Sequence, residues 1–244
     1  MRSRPLALVL ALSLVASTRA SAQTPTPMTD GMVAGGYLRV SGGVVTPVNP
    51  GGSLKEWDAG STFHVMWENW ENTDRGTLSL FGFGLYGDVS FLQFDQNQFI
   101  RDFTNGPNGT VTSARAGRGR AIQFGVNTRF RIPAPYFTPS IGLGFGFIDW
   151  HPASIDYVAV GGSGTAKQQN RQGAALTLTG GIDKHIFDRV SVFGEAAYAY
   201  GYTSFGQGLG ATGSACLAAN CDLLKNMPFG TIRAGLKTRI GPSR

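Results

Sequence analysis

Residues 119–132 read GRAIQFGVNTRFRI, and their side chains alternate without a break. In an extended chain, successive side chains point to opposite faces. Ile122, Phe124, Val126, Thr128, Phe130 and Ile132 therefore share one face, and Gln123, Gly125, Asn127, Arg129 and Arg131 share the other. A helix would scatter both sets around its axis, so the segment is a strand with one oily and one wet face. The same alternation recurs on either side. Ile141, Leu143, Phe145 and Phe147 alternate with Gly142, Gly144 and Gly146; Val190, Val192, Ala196, Tyr198 and Tyr200 oppose Ser191, Glu195, Ala197 and Ala199; Ile232, Ala234, Leu236 and Ile240 oppose Arg233, Gly235, Lys237 and Arg239.

Extended over the chain, this reading gives eight strands, at 32–47, 61–70, 76–94, 119–132, 136–150, 172–185, 190–203 and 229–240. Composition agrees with it. Of 244 residues 35 are glycine and 11% are aromatic, while only 15% are charged, which excludes a helical bundle and a disordered chain. The body of the chain also lacks the run of about 20 apolar residues that a spanning helix needs.

The connections decide between a soluble sandwich and a membrane barrel. ENTDR, PAP and IFDR are short links of roughly three to six residues. VNPGGSLKEWDAG, DQNQFIRDFTNGPNGTVTSARAGR, HPASIDYVAVGGSGTAKQQNR and SFGQGLGATGSACLAANCDLLKNMP are long and polar, roughly a dozen to two dozen residues each. Short and long alternate strictly, as tight periplasmic turns and long outer loops do in a bacterial transmembrane barrel. The fold expected is all-β, an eight-stranded antiparallel up-and-down transmembrane β-barrel. A sheet in lipid must close, because an open edge would leave backbone groups unpaired in hydrocarbon. Eight strands leave a lumen that side chains fill.

Alternation assigns Arg39, Glu68, Asp88, Arg129, Arg131, Asp183, Glu195, Arg233, Lys237 and Arg239 to that lumen, with His64 and Tyr86, as a polar network of paired charges. Trp67, Tyr136, Trp150, Phe187, Tyr198, Tyr202 and Phe229, near strand ends, are expected to form the aromatic girdles.

Residues 1–22, MRSRPLALVLALSLVASTRASA, read as a signal peptide: Arg2 and Arg4, an apolar stretch, and the small residues Ala20 and Ala22 at a cleavage site. Residues 23–31 form a short leader and 32–244 the barrel domain. Cleavage would remove Arg2, Arg4 and Arg19 and leave 18 basic against 15 acidic residues. So small a surplus gives no reason to expect nucleic acid. Export also gives Cys216 and Cys221 an oxidising compartment, and a local disulfide between them is expected.

PYFTPSIGLGFGF (135–147) and GAALTLTGGIDKHIFDRVSVFGEAAYAYGYT (173–203), followed by a glycine-bearing last strand, resemble the small eight-stranded outer-membrane barrels related to the OmpA transmembrane domain and the opacity porins. That resemblance implies a barrel, monomeric or part of an envelope assembly, inserted by the outer-membrane assembly machinery. The chain ends TRIGPSR, with Ile240 its last apolar outward residue, and lacks the terminal aromatic usual in that family.

Chemistry-bearing motifs are sparse. His64, His151 and His185 fall at three different heights of the barrel, which argues against a metal site or a catalytic triad. Asp149, His151 and Ser154 form the one local set that resembles a lipid-modifying site, and a girdle histidine beside Trp150 is the reading preferred for His151. The stretch SARAGRGR places Arg115, Arg118 and Arg120 at the end of the second long loop, where lipopolysaccharide phosphates of the outer leaflet would lie; a solvated basic rim is the alternative. No catalytic residue, cofactor or metal is expected. The function expected is non-enzymatic, an outer-membrane protein with an envelope-structural and surface-display role in adhesion or assembly, in contact with outer-membrane lipid and lipopolysaccharide. A small-solute porin or uptake barrel is the alternative.

Overall fold

The computed structural model describes residues 35–48, 54–70, 80–103, 109–132, 134, 136–167, 170–187, 189–202 and 226–240. The signal peptide and leader, Cys216, Cys221 and the bond expected between them lie outside the described residues.

Eight strands close into one antiparallel barrel: β1 (Gly35–Pro47), β2 (Trp57–Trp70), β3 (Phe81–Phe94), β5 (Gly119–Arg131), β6 (Thr138–His151), β9 (Arg171–Phe187), β10 (Val190–Tyr202) and β11 (Asn226–Ile240). Each pairs with its neighbour in sequence among these eight, and β1 closes on β11 in a continuous register from Gly36↔Ile240 to Pro47↔Phe229. The strand boundaries move by a few residues from those read in the sequence. β3 begins at Phe81 rather than Gly76, and β2 begins at Trp57 rather than Ser61, because a register irregularity between Asp58 and Ser61 carries pairing with β3 past Gly60. A Cβ at Gly60 would lie 1.7 Å from the Phe91 carbonyl oxygen, so this close approach needs glycine.

The two faces differ as the alternation requires. Outward lie Val44, Phe63, Leu85, Phe124, Val126, Phe145, Leu178, Ile232 and Leu236, all exposed; inward lie Arg39, Glu68, Arg129, Arg131, Glu195 and Lys237, all buried. A water-soluble protein would bury the first set, whereas a closed barrel in lipid leaves it outside. On β5 the outward row from Ile122 to Ile132 runs roughly 33 Å along the strand, which at the usual barrel tilt covers about 25 Å of membrane. Among the described residues no helix is long and apolar enough to cross a membrane.

Two of the long connections fold rather than loop. After β3 comes a short helix, α1 (Gln96–Asp102), capped by the Asp95 carboxylate, which accepts from the Gln98 N–H at 3.0 Å. β4 (Val111–Ala116) then pairs with β7 (Ile155–Ala159), and β7 with β8 (Gly162–Ala166), as a separate three-stranded sheet. Phe99 of α1, Val111 and Ala114 of β4, and Ile155 and Ala159 of β7 form a small core of their own. The sequence reading of these stretches as plain outer loops is corrected here. Each element is short, so a period-two pattern has little room to show.

Candidate functional site

The inward strand faces fill the lumen in layers. At the centre Glu195 of β10 meets Arg129 of β5, Arg233 of β11 and, at 3.6 Å, Arg39 of β1. Arg39 also reaches Asp183 at 3.3 Å and Glu68 at 3.6 Å, and its guanidinium lies 3.8 Å over the Phe193 ring. Lys237 bridges Asp183 at 2.9 Å and Glu68 at 3.2 Å. Toward the outer side, Arg233 donates to Asp88 at 2.6 Å, and Asp88 lies 2.8 Å from His64 Nδ1. Toward the periplasm, Arg131 stacks 3.2 Å over Trp70 and lies 3.7 Å from Glu68. Such a network holds together only because cations and carboxylates alternate, as an unpaired charge at these depths would be prohibitive. Arg239 has inward parity but is only half-buried, and its guanidinium lies over Gly35 at the periplasmic end.

Above the network the lumen turns apolar. Leu54, Trp57, Leu92, Ile148, Trp150, Met227 and Phe229 pack into one buried cluster, with Trp57 and Trp150 edge to face at 5.4 Å. Trp150 and Phe229 are therefore not girdle residues. Trp150 shares inward parity with Ser140 and Ile148, and both aromatics cap the interior. Between cap and network lies a cavity of about 30 Å³, bordered by Asp88, Gln123, Thr177 and Arg233, with room for about one water.

The outer rim separates the three arginines read together in the sequence. Arg115 sits on β4, opposite Asp156 of the outer sheet. Arg118 lies in the link between β4 and β5, and Arg120 is on β5 itself, flanked by Phe91 of β3 and His151 of β6. Arg118, Arg120, His151, Phe91, Pro152 and Ala153 line an outward groove of about 580 Å³. His151 Nε2 lies 2.6 Å from Asp149 Oδ2. Ser154 is exposed, and no hydroxyl among the described residues is hydrogen-bonded to His151. Nor is any group of three or more His, Cys, Asp or Glu among them arranged to hold a metal. The sequence reading weighed His151 and the arginines separately. The signal that joins them is the register that places Arg120 opposite His151.

A closed barrel with an apolar exterior and a charged, plugged interior is what a small outer-membrane protein requires. The fold is that of an eight-stranded outer-membrane β-barrel. No family model matches the sequence, and no curated protein is similar to it. Among solved structures the barrel is similar to Neisserial surface protein A, at 11% identity over 85% of this chain and 98% of that one, with a TM-score of 0.48. It is also similar to OprG from Pseudomonas aeruginosa, at 12% identity over 88% and 100% of the two chains and a TM-score of 0.46. The outer membrane enzyme PagL shares 12% identity over 84% of this chain and 99% of its own, with a TM-score of 0.36.

Proposed function

We propose that this barrel resides in the bacterial outer membrane and acts there without catalysis, as an envelope-structural anchor that displays its outer sheet for adhesion or assembly. One observation carries the reading: α1 with β4, β7 and β8 has its own core and stands on a barrel whose described inward side chains pack the lumen as a charge network under an apolar cap. A display platform needs a rigid base and a folded top, and a porin needs an open path. Among the described residues the lumenal cavity between network and cap is small, about 30 Å³, which favours the platform over the porin. An acyl hydrolase would need a nucleophile beside His151, and His151 has no described hydroxyl partner.

Two measurements on the full chain test this proposal. In planar bilayers the conductance should stay near background, and steady single-channel openings would instead favour the porin. Ser163→Cys, on exposed β8, should react with an impermeant thiol reagent on intact cells, because β8 lies beyond the outer end of the barrel. Protection until the cells are lysed would reverse the orientation and end the display reading.

A further inference from the structure

The outward row at the outer end of β3, β5 and β6 breaks the apolar belt. Phe91, Arg120 and His151 are register partners across these strands, and one outward position closer to the periplasm come Val89, Ile122 and Asp149. Arg120 thus follows directly on the lipid-facing run that begins at Ile122, at the height where hydrocarbon gives way to headgroups. Arg118 joins it in the same groove. Neither guanidinium makes an ion pair or hydrogen bond with any described residue.

A guanidinium at the edge of the hydrocarbon, with no described counter-ion, favours an anion supplied by its surroundings. Two arginine forks match the oxygens of a phosphate, to which each can bond bidentately. Phe91 beside Arg120, with Ile122 and Phe124 below, offers an apolar wall that a free anion could not use and an acyl chain could. We propose that the groove of Arg118, Arg120 and His151 holds the phosphate headgroup of a phosphorylated outer-leaflet lipid, with its acyl chains running down the outward face of β5. Arg115 has no part in this site, because it lies on the separate outer sheet opposite Asp156. The proposal rests on the membrane-spanning reading, which heat-modifiable gel migration checks separately for each variant.

The test reconstitutes the full chain in phosphatidylcholine nanodiscs doped with bisphosphorylated lipid A or with its dephosphorylated form, and counts bound lipid by native mass spectrometry. Wild type and Arg115→Ala should retain bisphosphorylated lipid A. The double variant Arg118→Ala/Arg120→Ala should bind it about tenfold more weakly while still migrating as a folded barrel. The dephosphorylated lipid should bind weakly to all three. Equal binding by the double variant, or an equal loss in Arg115→Ala, would overturn the proposal. Displacement of the lipid by millimolar inorganic phosphate would make the groove a site for soluble anions instead.

Discussion

Replacing Glu195 by glutamine should cost about 3 to 5 kcal/mol of barrel stability, the range for breaking a buried ion pair by removing one partner. The size follows from the surroundings. Glu195 is the carboxylate shared by Arg39, Arg129 and Arg233, all of them buried, and its neutralisation leaves three guanidiniums facing one another across a narrow lumen. Denaturant unfolding in detergent micelles, followed by the fluorescence of the buried Trp70 and Trp150, measures the loss. Glu195→Gln combined with Arg129→Gln should recover part of it, because the second change removes one of the stranded charges. Asp102→Asn at the end of α1 is the contrast: its bridge to Lys55 at 2.6 Å is partly exposed, and the loss should stay within about 1 kcal/mol. A Glu195→Gln midpoint equal to that of wild type would mean that water solvates the core of the network.

The second large effect is on the lipid side. Val126 faces outward between Leu85 and Phe145, about midway along the apolar run of β5, and Val126→Arg should cost about 2 to 4 kcal/mol. A soluble sandwich would also penalise that change, so a sidedness probe accompanies it. Cysteine at Phe124 or Val126 should react with a membrane-embedded reagent and resist a water-soluble one in intact membranes; ready aqueous labelling at both would contradict the transmembrane assignment. Alternation alone makes Asn127→Arg look mild, because it adds charge to a polar interior. The structure argues otherwise: Asn127 is buried, accepts from Arg129 Nε at 3.3 Å, and faces the backbone of Gly84 and Gly144. An arginine there would oppose an arginine with no room to turn away, so Asn127→Arg should destabilise as much as Val126→Arg.

The barrel was legible because parity is a strong constraint: one misplaced residue would turn a whole strand inside out. GRAIQFGVNTRFRI alone separates an oily face from a wet one, and the short and long links make those faces lipid and lumen and order the eight strands. The alternation also supplied the lumenal charges, though not which carboxylate meets which arginine, since that depends on strand tilt and register. Two features were hidden. VTSARA, IDYVA and GSGTA are too short to show a period, and what stabilises them is a small core around Phe99 that joins two connections separated in sequence by β5 and β6. Trp150 and Phe229 were misplaced by their residue type: an aromatic at a strand end suggests the membrane interface, yet their parity points inward.

The seam between β1 and β11 has a bearing on assembly. Antiparallel closure joins the beginning of the barrel to its end, across nearly the full length of the chain, and such distant pairings form slowly. β11 also brings Arg233 and Lys237, which neutralise Asp88, Asp183, Glu68 and part of Glu195. Before that strand docks, the other seven carry four inward carboxylates against Arg39, Arg129 and Arg131, together with an unpaired edge on β1 and another on β10. The half-built sheet is therefore unsuited to hydrocarbon on two counts, its open backbone edges and an Asp88 with no arginine beside it, and the same fifteen-residue segment answers both. Arrival of the last strand thus acts as a checkpoint: a chain truncated before it lacks both the strand that seals its edge and the arginine that pairs with Asp88.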